Sequence, residues 1–294
     1  MTLKSRNKMF NKICLIKFVL LINMANISVH SQNITCKNRY GKNFLEGVCQ
    51  DVDTCMGAAL IGNCANKDFI CCIQDKSLNY RENSIITKKI FLKIAGDTSR
   101  NNYLYNFFSE SMELARIDNQ YKAAAYLSQL IGETDYFRSM ESVKPENDFN
   151  NLIGNGAIGI GSDYRGRGAI LLRGKLNYEL ANFKLNKTVG FDLISNPERA
   201  AFPSIAFKVG AWFWNENAYV IKTAQPAIKE SLSVLADGTF LNFAHLTHAL
   251  TNNLNSLTQR SYINDRIISE LSITSIKRGQ GVKCLIGDEE GYAV

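Results

Sequence analysis

A chain of 294 residues, 46% of them hydrophobic, can build one sizeable core and a small appended module. Its formal charge of +7 comes largely from residues 1–31, which hold five Lys and Arg and no acid; the rest carries 29 basic against 27 acidic residues, or +2, and leaves no electrostatic footprint for a nucleic-acid partner.

The first 31 residues read as a secretory signal. Lys4, Arg6, Lys8 and Lys12 precede the apolar run "ICLIKFVLLINMANI", and "VHS" before Gln32 suits cleavage. Lys17 interrupts that run, which is short for a membrane span, so no membrane association is expected after cleavage. Asn33-Ile34-Thr35 and Asn186-Lys187-Thr188 are glycosylation acceptor patterns that agree with secretion.

Residues 32–72 form a cysteine-rich module with Cys36, Cys49, Cys55, Cys64, Cys71 and Cys72. Six cysteines allow fifteen pairings, and spacing does not choose among them. So short a segment, with few large apolar side chains, needs its bridges for stability. It is either a small carbohydrate- or protein-binding appendage or a spacer; its terminal Cys-Cys pair looks somewhat like the clip-type modules of secreted invertebrate proteins. Cys14 leaves with the signal, and Cys284, alone near the end, is either free or linked to another chain.

Residues 73–85 are polar and read as a linker, and 86–294 as the main domain. Apolar residues at three- and four-residue steps predict helices at Thr87–Ala95, Asn101–Ile117 and Tyr121–Glu133. The Gly- and Asn-rich stretch 146–168 predicts irregular backbone, and it lacks both the Lys-Ser/Thr ending and the preceding strand of a phosphate loop. A short strand or hairpin is expected around Ala169–Leu172, then a helix at Lys175–Phe183. Asn196 caps and Pro197 opens a long helix that Pro203 kinks or splits. Helices at Ala227–Leu235, Phe240–Thr251 and Ser261–Leu271 complete the pattern. Trp212, Phe213 and Trp214 lie in an apolar helix and read as core; His245 and His248 have no third ligand, so no metal and no cofactor is expected.

On the helix ending at Glu133, Ala124, Leu127, Leu130 and Ile131 make one apolar stripe, with Glu133 at its edge, about 60° from Leu130. A partly desolvated carboxyl there suits a general acid, although a solvated helix-end residue has the same periodicity. Asp135, Glu141, Glu146 and Asp148 are the nearby acids that could serve as its partner.

"SDYRGRGAILLRGKLNYEL" resembles the Tyr-x-Gly-Arg-Gly-x-Ile-Gln-Leu-Thr/Ser run and following Asn-Tyr of glycoside hydrolase family 19, the plant-type chitinases and their lysozyme-like bacterial and phage relatives. Tyr164, Gly166, Arg167, Gly168, Ile170, Leu172, Asn177 and Tyr178 carry the match. "AAYLSQLIGETDYF", "VGFDLISNPERAAFPSIAFKVGAWFW" and "LTHALTNNLNSLTQR" are similar to further family segments in the right order, over about residues 86–272.

The resemblance implies an α+β, mainly helical, lysozyme-like two-lobed domain with a central cleft. It implies a secreted enzyme that hydrolyses chitin, the β-1,4-linked N-acetylglucosamine polymer, with inversion and without a metal. Glu133 matches the general acid and Asn177 a sugar-binding Asn, while Tyr164 and Arg167 belong to the turn that shapes the cleft floor and count as further substrate-binding candidates. Tyr136, beside Phe137, is a candidate for stacking on sugar.

Several positions depart from the family pattern. Gly132 replaces a His, and Asp135 and Tyr136 replace two glycines. The place of the general base is Ser142, with Glu141 one step away as provisional base. Leu171 replaces a Gln, Thr251 an Asn, and Arg173 the hydroxyl residue that helps hold the attacking water; Arg173 is expected either to bind an acetamido oxygen or to pair with Glu141. These departures keep two other readings open: a non-catalytic chitin- or glycan-binding protein, and a muramidase acting on peptidoglycan.

Overall fold

Two neighbouring cysteines organise the N-terminal sheet. In the computed structural model, which describes residues 34–75, 82–144, 163–190, 192–216, 231–251 and 253–273, the strands β1 (Thr35–Lys37), β2 (Glu46–Gln50), β3 (Gly57–Leu60) and β4 (Ile70–Gln74) pair antiparallel in the order β1-β2-β4-β3. Successive side chains on a strand point to opposite faces, so Cys71 and Cys72 on β4 must find different partners. Cys71 bonds Cys36 and Cys72 bonds Cys55, while Cys49 bonds Cys64. On one face Cys71, Ile73, Ala58 and Leu60 join the main hydrophobic core, whereas on the other Cys72, Ala59, Cys55 and Val52 make a small cluster of their own.

The helices begin where polar caps precede an apolar run. Thr87 Oγ1 accepts from the Ile90 amide at 3.3 Å and opens α1 (Lys88–Ala95). Thr98 does the same for α2 (Ser99–Leu114), accepting from Asn101 at 3.0 Å. Asn119 opens α3 (Gln120–Thr134), accepting from Lys122 at 3.0 Å. Each such cap satisfies an amide that the helix itself leaves without a partner.

Beyond the acid-bearing helix α3 the chain runs through 163–174 into α4 (Lys175–Val189), longer than the predicted Lys175–Phe183 and closed by Gly190 at φ 72°. The short strand or hairpin expected around Ala169–Leu172 takes the form of a tight hairpin turn, in which Arg167 and Leu172 exchange backbone hydrogen bonds of 3.0 and 2.8 Å. Pro203 splits the long helix predicted from Pro197: a 3-10 turn covers Pro197–Ala201 and α5 covers Pro203–Glu216. Pro at a helix start gives up no intrahelical hydrogen bond. Of the helix expected at Ala227–Leu235, Leu232–Leu235 is a 3-10 turn and 227–230 lie outside the described residues. α6 covers Phe240–Thr251, and α7 covers Leu257–Glu270, starting earlier than predicted because Leu257 and Arg260 are themselves buried.

The core lies between α2, α3, α5 and α7. Phe91, Phe108, Phe137 and Tyr126 pack ring on ring, and Trp214 meets Tyr126 edge-on with 5.0 Å between centroids. Trp214 and Phe213 are buried, and Trp212 is half-buried against the same core.

Polar tethers join sheet and helices. The fully buried Arg100 of α2 donates to the Cys55 and Gly57 carbonyls at 2.9 and 3.0 Å, and to the Phe137 carbonyl at 2.8 Å. Burial pushes its guanidinium down to about 10. Asn43 reaches Ser195, Asn196 and Glu198, and Asp75 accepts from the amide and hydroxyl of Ser204. The described residues from Thr35 onward form one compact unit. The predicted signal, Glu146, Asp148 and Cys284 lie outside the described residues.

Candidate active site

Glu133 occupies the last turn of α3, and its side chain is 6% exposed. Arg260, reaching across from α7, meets it with an Nη2–Oε1 distance of 2.7 Å. The guanidinium is itself fixed: Nη1 donates to Gln129 Oε1 at 2.7 Å and to the Gln129 carbonyl at 3.1 Å, and Nε donates to Ser256 Oγ at 2.8 Å. Gln129 in turn donates to Thr247 Oγ1 at 2.9 Å, so α3, α6 and α7 hold the pair in common.

Gly132 makes this geometry possible. A Cβ at that position would stand 2.8 Å from Cγ and Cζ of Arg260, well inside ordinary contact. The departure from His at the residue before the acid therefore has a local physical reason: the arginine lies across the space a side chain would need.

After Glu133 the backbone turns sharply. Asp135, Tyr136 and Phe137 have φ of 47°, 58° and 64°, three consecutive non-glycine residues in the left-handed region. The first two stand where the resembled family carries glycines, and at each the left-handed form is unfavourable for an L residue by about 1–2 kcal/mol. Thr134 Oγ1 accepting from Phe137 N at 3.0 Å and Arg100 donating to the Phe137 carbonyl hold the arc in place. Tyr136 is half-buried against the core and does not line the groove described next, which removes it as a sugar-stacking platform there.

That groove has a volume of about 340 Å³. It is lined by Glu133 and Arg260, by Ser142, Lys144, Gly166, Leu171 and Arg173, and by Thr251, Asn253, Asn255, Ser256 and Gln259. Glu133 and Arg173 are thus placed in one trough, as the sequence pattern anticipates.

Glu141 is not there. It is fully buried, with Oε1 2.8 Å from Nε of Arg167 and Oε2 accepting from the Ile61 amide at 2.9 Å. Glu141 bridges antiparallel to Arg167, and in such extended backbone its side chain turns inward while that of Ser142 turns to the groove. The provisional base is therefore corrected to a structural carboxylate, and its partner is Arg167, not Arg173. Burial alone would lower the Arg167 guanidinium, but Tyr178 and Glu141 outweigh it and hold the group raised.

Tyr164 and Arg167 are also corrected as substrate contacts, because both are buried beneath the floor. Tyr164 donates to the Ile194 carbonyl at 3.3 Å, and Arg167 Nη1 to the Asp163 carbonyl at 2.6 Å. Asn177 spends its carboxamide on the Arg173 carbonyl at 2.7 Å and lies outside the groove lining. Its place is that of a brace for Arg173.

Arg165, which the sequence reading passed over, holds the wall. Its Nε and Nη2 donate to the Ser142 carbonyl, Nη2 also to that of Lys144, and its Cζ lies 3.7 Å from the centroid of Tyr40, in the loop between β1 and β2. Lys144, Asn253, Asn255, Ser256 and Gln259 were likewise missed, since polar loop and helix-start residues carry no period. Among the described residues, the one His, Cys, Asp and Glu cluster with ligand-like spacing is Cys36, Cys49 and Cys64, whose sulfurs are bonded as disulfides.

A family model described as chitinase class I, glycoside hydrolase family 19, matches residues 121–231, a span holding Glu133, Ser142, Arg173 and Asn177. An acidic 27 kDa endochitinase of Solanum lycopersicum is 41% identical over 56 residues, 19% of this chain and 21% of that protein. An acidic endochitinase of Petunia hybrida is 30% identical over 98 residues, 30% of this chain and 34% of that protein. The chain thus spans about a fifth to a third of the length of these curated relatives. Chitinase C from Streptomyces griseus HUT6037 superposes with a TM-score of 0.51 at 17% identity, covering 68% of this chain and 99% of that one. A bacterial family 19 chitinase gives 0.52 at 16%, covering 66% and 98%. These two show the fold, a helix-rich lysozyme-like domain with a small antiparallel sheet added at its N-terminal side.

Proposed function

We propose that this chain, which belongs to the family 19 chitinases through its segment 121–231, is a secreted glycoside hydrolase that cuts β-1,4-linked N-acetylglucosamine polymer. The observation that carries the reading is Glu133, set in the groove and aimed by Arg260. In this mechanism Glu133 gives its proton to the glycosidic oxygen as the bond to the anomeric carbon breaks, and water attacks the opposite face with inversion. Ser142 stands where the family pattern has its base, and its hydroxyl can orient that water without holding the released proton, which passes to bulk solvent, from which Glu133 regains its own before the next turnover. Loss of general-base help lowers the rate by about 10²–10⁴. Three disulfides support an oxidising, extracellular destination.

The burial of Glu141 favours one other reading, a chitin-binding protein with no turnover. Reducing ends released from N-acetylglucosamine hexamer, measured for the protein and for Glu133→Gln beside retention on chitin beads, separate the two. Hydrolysis abolished by the substitution supports the hydrolase, and retention without hydrolysis supports the binder. Equal hydrolysis in both proteins removes Glu133 from the mechanism.

A further inference from the structure

The described lining of the groove carries more positive charge than its proposed neutral substrate can use. Among its described lining residues Glu133 is the one carboxylate, and Arg260 is committed to it. Lys144 and Arg173 remain, the first exposed and the second half-buried, and neither forms an ion pair among the described residues. Glu141, three residues before Lys144, is withdrawn beneath the floor by Arg167 and Ile61. The rest of the described lining is uncharged: Ser142, Gly166, Leu171, Thr251, Asn253, Asn255, Ser256 and Gln259.

Both cations also have anchored backbones. Asn177 holds the Arg173 carbonyl and Arg165 the Lys144 carbonyl, so the two positive heads project from fixed wall positions. A glycan seated in the trough would meet both, because both line it.

We propose that Arg173 and Lys144 make the groove select amino-sugar chains by charge. It favours a chain bearing carboxylate substituents, accepts the neutral N-acetylated chain, and rejects the chain whose amines are free and protonated. This rests on the groove being the glycan site proposed above. A unit charge about 7 Å away in a half-solvated cleft changes affinity about three- to tenfold, and salt screens the effect.

The test uses the full secreted chain and four hexasaccharide probes, with affinities measured by calorimetry at 4 °C in low and high salt. The probes are the N-acetylglucosamine hexamer, the fully de-N-acetylated hexamer, an alternating N-acetylglucosamine–N-acetylmuramic acid chain, and that last chain with its lactyl carboxylates amidated. The expected order at low salt is carboxylate chain, then neutral chains, then amine chain. The ratios between probes should shrink toward one in Arg173→Gln/Lys144→Gln and in high salt. Binding of all probes without a charge order, or an order that survives in the double variant, overturns the inference and leaves the glycan reading standing. Failure of every probe to bind overturns both.

Discussion

Replacing Gly132 by Ala tests the acid–arginine pair without touching either partner. The new Cβ would meet Cγ and Cζ of Arg260 at 2.8 Å and Nε at 2.9 Å, where ordinary contact begins near 3.4 Å. Relieving this moves the guanidinium by about 0.6–1 Å, because the helix backbone bearing residue 132 cannot retreat from a packed core. Its hydrogen bonds to Glu133, to the Gln129 side chain and to Ser256 are now 2.7–2.8 Å, and a shift of that size stretches them to about 3.3–3.8 Å, where such bonds are weakened or lost. Each bond to a charged group contributes about 1.5–3 kcal/mol. Against this, Ala in a helix interior is worth about 1 kcal/mol more than Gly. The expected net result is a loss of about 1–3 kcal/mol in urea denaturation, together with slower release of reducing ends from the hexamer. A variant more stable by about 1 kcal/mol with unchanged hydrolysis would show that helix propensity alone operates here, and the account of Gly132 as the space for Arg260 would be wrong.

Arg100→Leu should lower stability by about 3–5 kcal/mol, since the Cys55, Gly57 and Phe137 carbonyls lose their donor together; the urea midpoint measures it. Asp135→Gly should raise stability by about 0.5–1 kcal/mol, because an exposed residue at φ 47° that closes α3 is relieved of left-handed strain; a lower melting temperature would contradict this. The Cys36→Ala/Cys71→Ala protein releases a loop of 35 residues and should lose about 4 kcal/mol by the chain-entropy relation. Its affinity for the N-acetylglucosamine hexamer should also fall, because the Ile61 amide that holds Glu141 follows immediately on β3.

Apolar periodicity and proline made the helices legible. Thr87–Ala95, Pro203 and the run Phe240–Thr251 place their elements within a residue or two of the sequence expectation, because side-chain period and proline geometry are local chemistry, whereas Asn196, expected as a cap, makes no side-chain cap hydrogen bond. The position of Glu133 on the edge of an apolar stripe was equally local. What escaped is what depends on distant chain. Six cysteines say nothing of pairing until strand register sets Cys71 and Cys72 on opposite faces. Glu141 looked like a base because it is an acid near an acid, yet a salt bridge to Arg167, 26 residues away, decides where it points. Tyr164 and Arg167 read as site residues because motif residues mark a site without saying whether they touch substrate or support those that do. Arg260 had a signal, its alignment with the family's late arginine, but its contact with Glu133 across 127 residues needed the fold.

The inward turn of Glu141 has a consequence for what this protein can become. Side chains alternate along extended backbone, so an acid at 141 serves the foundation and an acid at 142 would face the trough. The scaffold therefore stands a single replacement, Ser142→Glu, short of presenting two carboxylates to one trough, and it can receive the second without surrendering the buried ion pair that supports its floor.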